Sequence, residues 1–505
     1  MRNSITGASA DVFAPAAIGD ALLLLSDPVI IAAIFIGVAL GILFGAIPGF
    51  SATMTIILLT PVTIPFDATP ALIFLVSAYG GAVYGGSIPA ILINTPGAPG
   101  SVVTCWDGYE LTRDGRAIYA LAVSAIVSSI AGIFAAVLLL LIGPQIADFA
   151  LQFGPPQMFL LAVFALTIIP AAKGASLSKS LLGGAFGLLV ATIGNDPQLA
   201  QPRSTFGFTI LQDGVNFIVA LIGLFVLAEM IQLAYRGTVA QDTADVKGGK
   251  GQVRDAFRAV RKRPVDVVRG MSIGAFIGSL PGAGADVANF VSYNEAQRWS
   301  KEELSDKFGT GIIEGIIAAD SSNNATQGGA LIPTLTLGIP GSGSTAALLG
   351  AIALHGLNPG PGLFDRSAVI VYAIIFSLFI GNALIFVYGI PGSRYFGKLA
   401  YIPAEYIIPA VCVLAVIGGF AVRYSLFDLW IVWVFGILGV LFVKYDYPLV
   451  SPVLGIILGG IAEDGFVTGW LLHRGDPMAF FFESTISIGL LAIIALSIIV
   501  TIIKN

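Results

Sequence analysis

Charged residues are scarce in this chain: Asp, Glu, Lys and Arg make up 11% of its 505 residues, against about 25% in ordinary soluble domains. Hydrophobic residues make up 56%. This balance excludes a soluble enzyme as the first expectation. Because the charges are confined to a few loops, the net charge of −5 does not imply a nucleic-acid partner.

Cysteine and histidine are also rare, with two residues of each. Cys105 and Cys412 lack CxxC spacing, so we expect small core residues and no redox chemistry. His355 and His473 are too far apart in sequence to suggest a metal site. The chain has no G-x-x-x-x-G-K-[ST], G-x-S-x-G or H-E-x-x-H motif, which leaves ATP-driven transport and hydrolytic catalysis without support, and no cofactor is expected.

Long apolar runs recur along the whole chain, as in Val29–Ile47, Ile118–Ile142 and Ile370–Ile390. Each run is close to the roughly 20 residues that cross a bilayer as a helix. Strands of a membrane barrel would alternate polar and apolar residues, and these runs do not. We therefore predict an all-α polytopic membrane protein with roughly ten to twelve transmembrane helices. No cleaved signal is expected, and a bacterial inner membrane is the simplest location.

Two distant segments share one pattern of glycine and proline, G-x-x-x-G-x-x-P-G, at residues 41–49 and 274–282. Downstream, Gly85-Gly86 with Pro89 corresponds to Gly328-Gly329 with Pro333, and the interval to the next Pro-Gly pair is the same in both segments. Ordered matches at a nearly constant offset indicate an internal duplication.

The placement of Lys and Arg predicts how the two copies are oriented. No Lys or Arg occurs between Asn3 and Thr112, whereas Arg236–Arg269 is rich in both. By the positive-inside rule the basic stretch is cytoplasmic and the start of the chain periplasmic, so the repeat has inverted topology. The expected divisions are an N-terminal segment (1–28), repeat 1 (29–235), a basic linker (236–269), repeat 2 (270–485) and a C-terminal transmembrane helix (486–505).

Four Pro-Gly pairs are expected to break membrane helices, because proline removes a backbone donor and glycine permits positive φ. Irregular backbone at membrane depth must be buried in protein or line a cavity. A helix that starts after such a break points unpaired N–H groups at a ligand, which suits a carboxylate. The predicted substrate-binding residues lie at and beside the breaks: Pro48, Gly49, Ser51, Thr53, Asn94, Thr95, Pro96, Gly97, Pro281, Gly282, Asn289, Pro340, Gly341 and Ser342.

The sequence around these breaks resembles that of the large membrane subunit (TctA-like) of the tripartite tricarboxylate transporter family. The similar stretches include GILFGAIPGFSATMTIILLTPVTIPFD, INTPGAPGSVVTCWDGYELTRDGRA, GSLPGAGADVANFVSYNEAQRWSK and AADSSNNATQGGALIPTLTLGIPGSGSTAALLGAIALHGLNPGPGLF. The resemblance implies a subunit that imports tricarboxylates or related carboxylates, driven by a Na⁺ or H⁺ gradient. It also implies two partners, a small membrane subunit and a periplasmic substrate-binding protein.

The coupling ion is expected in the second copy. Aligning the copies by their glycines pairs Asp320 with Ser77 and Asp286 with Thr53. A carboxylate near an anionic substrate would repel it unless the carboxylate is protonated or neutralised by a cation. We therefore predict Asp286, Asp320, Asn323 and Asn324 as coupling-ion residues, with Asp320, Asn323 and Asn324 as possible Na⁺ ligands.

Three other functions are compared with this one. A stand-alone ion-coupled carrier would need no partners. A channel would require an uninterrupted polar pore or charged rings, which are missing from the sequence. A membrane enzyme would require a nucleophile or metal constellation, also missing. No stretch distinguishes citrate, a dicarboxylate or an aromatic acid as the substrate.

Overall fold

The computed structural model describes residues 15–173, 176–196, 201–236, 250–396 and 402–504. The predicted periplasmic N-terminus (1–14) and the middle of the predicted basic linker (237–249) lie outside the described residues. Eight of the described helices are long and apolar enough to cross a membrane. The prediction of an all-α polytopic membrane protein is therefore confirmed.

The first half of the described chain consists of helices with one short hairpin. The helices are α1 (Pro15–Leu24), α2 (Pro28–Gly45), α3 (Ala52–Thr63), α4 (Ala68–Gly85), α5 (Ser87–Ile93), α6 (Val102–Arg113), α7 (Ala117–Ala150), α8 (Pro155–Lys173), α9 (Leu177–Ala191), α10 (Phe217–Leu221) and α11 (Ala228–Arg236). A π-helical turn, Ile222–Leu227, joins α10 to α11, and 3₁₀ turns cover Pro99–Ser101 and Thr209–Asp213. Strands Gly194–Asn195 and Pro202–Arg203 pair antiparallel.

The second half is again helical. The helices are α12 (Lys250–Arg261), α13 (Pro264–Gly278), α14 (Gly284–Trp299), α15 (Glu302–Ser305), α16 (Ile313–Leu337), α17 (Gly343–Leu354), α18 (Leu363–Arg366), α19 (Ala368–Phe396), α20 (Ala404–Ala421), α21 (Leu426–Lys444), α22 (Val450–Leu472), α23 (Pro477–Phe482) and α24 (Thr485–Lys504).

The eight long apolar helices are fewer than the ten to twelve crossings expected. Six further apolar helical segments in the described part span only 10–17 residues; two of them are portions of α8 and α24, and α3 and α17 are among the others. Helices α3 and α17 both begin directly after a Pro-Gly break. A stretch of apolar sequence that would be counted as one crossing is therefore divided into two helices, one before the break and a shorter one after it. The number of crossings stays a prediction.

Each copy contains a helix, a break and a returning helix. Along α13, Gly274 packs on Ser322 of α16 and Gly278 on Thr326, so these two helices run in parallel. Along α14 the order reverses, because Asn289 accepts a hydrogen bond of 2.7 Å from Ser322, and Ser292 donates one of 2.7 Å to the carbonyl of Ala318. The break at 281–282 therefore turns α13 and α14 into a hairpin that enters and leaves the bundle at one end.

The same close packing occurs in both copies and corrects the sequence alignment by one residue. Gly41 of α2 packs on Ala78 of α4, whereas its equivalent Gly274 packs on Ser322. The offset in this stretch is therefore 244 residues, where the glycine pairs suggested 243. Small residues allow helix backbones to approach closely in membranes. By this register Asp320 corresponds to Val76 and not to Ser77.

Corresponding helices of the two copies run in opposite directions where they meet. Gly80 of α4 contacts Gln327 of α16, and seven residues later Ser87 donates a hydrogen bond of 2.9 Å to Asp320. From the first contact to the second, the residue number rises on the α4 side and falls by the same amount on the α16 side. The two helices are therefore antiparallel. This is the geometry that an inverted repeat requires.

The bundle has two ends, which we call the basic end and the far end. The basic end contains α12, the start of α16 and the 300–312 loop, and there Arg263 forms an ion pair with Glu314. The far end contains the ends of α3 and α17, where Thr63 and His355 share a hydrogen bond of 3.0 Å. The 194–203 hairpin also lies at the far end, held by a bidentate pair of Arg203 with Glu463 of α22 (2.5 and 2.9 Å).

Candidate functional site: a cavity at four broken helices

A cavity of about 750 Å³ lies where the four breaks meet. Its wall contains residues from both copies, at three of the breaks and directly after the fourth. Half of the predicted site residues line it: Gly49, Ser51, Thr53, Pro96, Gly97, Gly282, Asp286, Asn323 and Ser342. A cavity of this size holds a small organic molecule.

Four helix N-termini lie in this wall, at the starts of α3, α6, α14 and α17. Two of them have side-chain caps. Ser51 accepts a hydrogen bond of 3.2 Å from the backbone N–H of Met54, and Ser342 forms a capping box with Thr345. The remaining N–H groups of these first turns have no partner within their own helix, and the helix dipoles add positive potential. The wall therefore offers an anion several sets of backbone donors.

At two of the four breaks the glycine of the Pro-Gly pair has the left-handed conformation that the sequence predicts, and at the other two a residue two positions before the proline has it instead. Gly49 has φ 78° and its repeat equivalent Gly282 has φ 71°. A second equivalent pair, Asn94 and Gly338, ends α5 and α16 with φ 54° and 72°. Both copies therefore break their helices in the same way.

Two contacts join the copies across the cavity wall. The hydroxyls of Thr53 and Ser344 share a hydrogen bond of 3.0 Å. Asn289 of α14 donates a hydrogen bond to the carbonyl of Gly100 at the start of α6. Asn289 was predicted to bind substrate, but it lies behind the wall at 1% exposure, where it positions a helix N-terminus.

Several predicted substrate ligands lie outside the cavity lining. Asn94 ends α5 with an exposed side chain, and the hydroxyl of Thr95 donates to the carbonyl of Ile93, 3.2 Å away. They miss the cavity because the chain returns from the end of α5 to the centre of the bundle only at Pro96-Gly97. Pro48, Pro281, Pro340 and Gly341 also fall outside the lining; they shape the breaks through their backbone.

The structure separates the two predicted coupling-ion carboxylates. Asp286 lines the cavity, whereas Asp320 is completely buried behind the wall. There Asp320 accepts hydrogen bonds from Ser87 (2.9 Å) and Thr104 (2.6 Å).

The possible Na⁺ ligands are separated too. Asn323 faces the cavity and donates a hydrogen bond of 3.3 Å to the carbonyl of Val83. Asn324 turns towards α7, where it donates a hydrogen bond of 2.7 Å to Ser128. Asp320, Asn323 and Asn324 therefore do not form a single ligand set around one position, because neighbouring residues of a helix point in different directions.

Acidic side chains line the cavity without basic ones. Glu229, Asp286 and Asp446 are in the wall, and no Lys, Arg or His is among the described residues that line it. Glu229 lies on α11, with a carboxylate oxygen beside Gly49 in the cavity wall.

The end of the cavity nearest the basic end is formed by the loop between α21 and α22, which the sequence did not indicate. Asp446, Tyr447 and Pro448 belong to the wall. Lys179 of α9 donates a hydrogen bond of 2.7 Å to the carbonyl of Tyr445 and so anchors this loop. Asp446 has a left-handed φ of 55°. A backbone angle of this kind cannot be read from the sequence, so the loop could not be assigned to the site in advance.

Asp107 of α6 is a second residue whose role the sequence did not reveal. One of its carboxylate oxygens accepts hydrogen bonds from the backbone N–H groups of Gly309 (3.0 Å), Gly311 (2.9 Å) and Ile312 (2.9 Å). The other accepts one of 2.7 Å from Tyr293. The carboxylate thus fastens the first copy to the loop that starts α16.

Outside the membrane-spanning helices, the hydrogen bonds that Arg203 donates to Glu463 raise the pKa of the Arg203 guanidinium. Burial lowers the pKa of His355. The first shift results from the charged pair that fixes the 194–203 hairpin to α22. The second favours a neutral imidazole beside Thr63 at the far end.

Long apolar helices and a buried cavity formed by paired helix breaks define the class of this protein: it is a multi-pass helical membrane transport protein. Residues 31–454 match the Tripartite tricarboxylate transporter TctA family, and the chain belongs to this family. The family resemblance found in the sequence is confirmed. Membership makes the chain a membrane subunit of a tricarboxylate transporter, in a family of transporters and not of enzymes.

Two relatives come from Agrobacterium vitis. One, described as an uncharacterized 52.8 kDa protein in the TAR-I ttuC' 3' region, is 36% identical over 456 residues, which cover 90% of this chain and 89% of that protein. The other, an uncharacterized protein in the TAR-II ttuC' 3' region, is 33% identical over 207 residues, covering 41% of this chain and 85% of that protein. No solved structure matches the chain.

Proposed function

We propose that this chain is the substrate-translocating subunit of a binding-protein-dependent secondary transporter, which imports tricarboxylates or related carboxylates with Na⁺ or H⁺. The observation that carries the proposal is the cavity of about 750 Å³ with four helix N-termini in its wall. Family membership supports the substrate class.

The carboxylates of the substrate would bind the free N–H groups at the starts of α3, α6, α14 and α17. Hydroxyls beside these N-termini, on Ser51, Thr53 and Ser344, add polar contacts in the wall. Helix N-termini bind anions without a buried basic side chain, which fits a described lining that contains none.

Cations are needed because the wall itself is acidic. Asp446 already forms an ion pair with Lys179 at 4.0 Å. A substrate anion beside Glu229 and Asp286 would still be repelled unless protons or Na⁺ neutralised part of this charge. Asp286 is the carboxylate at the start of α14, close to where the substrate would bind. Asp320 would act from behind the wall. Coupling of anion uptake to a cation gradient follows from this electrostatic requirement.

The basic end would face the cytoplasm of a bacterial inner membrane, by the positive-inside rule. Cysteines at Asp255 of α12 and Asp213 before α10, both exposed positions, test this. An impermeant thiol reagent added outside cells should label D213C and leave D255C unlabelled. Labelling of both from outside would contradict the inverted orientation.

Transport would require the cavity to open to each side in turn. The two copies form a site between opposed helices, and rigid-body movement of the broken-helix core, by rocking or by sliding, would expose it alternately. In this structure the cavity borders the loop at the basic end, so inward release would involve residues 443–450.

Uptake into proteoliposomes tests the function. We expect little uptake of citrate, a C4-dicarboxylate or an aromatic carboxylate by the purified chain alone. Addition of the small membrane subunit and the periplasmic binding protein should restore uptake of one of these classes under an inward Na⁺ or H⁺ gradient. Rapid uptake by the chain alone would instead identify a stand-alone carrier, and uptake unaffected by either gradient would contradict cation coupling.

A further inference from the structure

Helix α16 has two polar faces, of which only one lines the substrate cavity. Asn323 and Thr326 are in the cavity wall. Asp320, Asn324 and Gln327 follow each other at spacings of four and three residues, so they form one stripe on another face. The stripe extends over about 10 Å, at 1.5 Å per residue.

Asn324 and Gln327 of the stripe face α7 and α4 in the interior of the bundle. Asn324 donates its hydrogen bond to Ser128 of α7. The amide group of Gln327 lies beside Gly80 of α4, where a Cβ would be 2.8 Å from its nitrogen. One turn before Gly80, Ser77 adds a hydroxyl near Gly381 of α19.

Asn382 of α19 completes the arrangement, with its side chain packed against Gly132 of α7. It donates a hydrogen bond of 2.8 Å to the carbonyl of Leu378 in its own helix. Its carbonyl oxygen remains available on the side of α7. Because α4 packs against both α16 and α19, the buried polar side chains of Ser77, Gln327 and Asn382 lie on adjoining helices.

Several atoms of these side chains have no hydrogen-bond partner among the described residues. They are the Ser77 hydroxyl, the carbonyl oxygens of Asn324 and Asn382, and both polar atoms of Gln327. All four residues are at most 2% exposed. A buried polar group without a partner costs about 1–3 kcal/mol, and in natural proteins such groups usually bind internal water or an ion.

We propose that Ser77, Gln327 and Asn382 form an internal hydrated site that conducts a monovalent cation between the far end of the bundle and Asp320. The oxygens available here are neutral amide and hydroxyl oxygens, which are suitable for a partly hydrated cation. Asn324 lies between this site and Asp320 on the same stripe. The cation and the substrate anion would thus reach α16 from opposite faces.

This inference rests on the proposed cation coupling, and it adds a separate route for the ion. The far end is assigned because α4 starts there at Ala68 and passes Ser77 before the chain reaches Ser87, which bonds Asp320. Separation of the two routes would keep the cation away from the acidic cavity wall until the substrate arrives.

Accessibility to Ag⁺, a monovalent cation that reacts with thiols, tests the route. Ser77→Cys and Asn382→Cys are made in a full-length chain that also carries Cys105→Ala and Cys412→Ala. The chain is studied in right-side-out membrane vesicles. Ser377→Cys is the matched control, because Ser377 is equally buried on α19 but its hydroxyl is satisfied by the carbonyl of Ile374 at 2.7 Å. After denaturation the thiols that remain free are alkylated, and the fraction blocked by Ag⁺ is obtained by difference.

We expect external Ag⁺ to block the S77C and N382C thiols faster than S377C, by about tenfold or more, because the ion reaches a thiol only where the site is hydrated. Na⁺ should slow the reaction, and Gln327→Met should slow it further. Equal rates at all three positions would overturn the hydrated site. Fast reaction that Na⁺ does not slow would overturn the cation assignment.

Uptake by the unmodified chain with its partners separates this proposal from the proposed function. If uptake depends on Na⁺ or H⁺ but S77C and N382C resist Ag⁺, only the route is wrong. If uptake is independent of both cations, the coupling proposal fails, whatever the Ag⁺ result. Asp320→Asn combined with S77C should keep the access of Ag⁺ and lose the protection by Na⁺.

Discussion

Thr53 and Ser344 lie 291 residues apart in sequence and share a hydrogen bond of 3.0 Å between their hydroxyl oxygens. Thr53 is in the first turn of α3, and Ser344 in the first turn of α17. The bond therefore holds together two helix N-termini from different copies, at the wall where an anion would bind.

Loss of this hydrogen bond should weaken substrate binding. Thr53→Val and Ser344→Ala should each raise the KM for uptake about 2- to 10-fold, the equivalent of about 0.5–1.5 kcal/mol for one hydrogen bond. The double variant should be no worse than the poorer single variant, because both remove one interaction. Thr60→Val is the control, since that hydroxyl bonds the carbonyl of Ile56 within α3. Additive losses would show that the two hydroxyls act separately.

The breaks themselves should not tolerate a side chain where the backbones approach most closely. A Cβ at Gly97 would lie 2.6 Å from the Cα of Gly86, and one at Gly341 would lie 2.7 Å from the Cα of Ala330. Gly97→Ala and Gly341→Ala should lower the thermal midpoint of the purified chain and reduce uptake. Gly489→Ala on α24, where a Cβ meets nothing within 4 Å, should change neither. Normal stability of both break variants would disprove tight packing here.

The sequence was sufficient to predict these breaks because their cause is local. These four Pro-Gly pairs interrupt helices, although Pro391-Gly392 lies inside α19 without breaking it. Their repetition at the same interval indicated the duplication. The exact register was harder to obtain. The sequence alone suggests that Gly85-Gly86 is equivalent to Gly328-Gly329. The contacts of Gly41 and Gly274 show that the offset between the two copies is one residue larger in this stretch. Packing between helices decides such a register, and a single sequence does not show it.

Other parts of the site depend on contacts that no local pattern indicates. Glu229 and the loop at Asp446 reach the cavity only because α11 and α21 pack against the broken helices. Asn94 looked like a ligand because it precedes a break, yet the chain returns towards the cavity only after it. Side-chain direction beside an irregular backbone is decided by the tertiary fold.

Asp107 should be essential for stability at the basic end, although it does not line the cavity. Asp107→Asn removes the charge that receives three backbone hydrogen bonds and one from Tyr293. Loss of hydrogen bonds to a charged group costs about 1.5–3 kcal/mol each, so the thermal midpoint should fall clearly. Glu110→Gln is the matched control, because Glu110 pairs only at the surface with Arg113. Equal midpoints for the two variants would disprove the anchoring role.

Acidification should loosen the far end through His355. Burial lowers the pKa of this imidazole from its model-peptide value of 6.5. The unfolded chain then binds a proton more readily than the folded one, so stability rises with pH in this range. The contribution is complete above about pH 6.5 and declines as the pH falls below that value. His355→Gln keeps a hydrogen-bonding group for Thr63 but does not titrate, so its thermal midpoint should depend less on pH below about 6.5. An unchanged pH dependence would contradict the assignment.

The two carboxylates proposed to bind the coupling ion, Asp286 and Asp320, should respond differently to neutralisation, because only Asp286 lines the cavity. Asp286→Asn removes a negative charge close to the substrate site. Substrate binding should then need less cation, so uptake should become less dependent on Na⁺ or pH while the substrate affinity is kept or improved. Asp320→Asn removes a carboxylate that is completely buried and held by Ser87 and Thr104. Without that charge the cation has no anionic ligand behind the wall, so coupled uptake should be lost.

The decisive measurement is the dependence of the initial uptake rate on Na⁺ and on pH, made for both variants in proteoliposomes with the partner proteins. Asn94→Ala serves as the control for the corrected site: its side chain is exposed and outside the lining, so it should alter KM far less than Thr53→Val. If both Asp variants fold and keep the cation dependence of the unmodified chain, these carboxylates are packing or capping groups, and the coupling ion binds elsewhere.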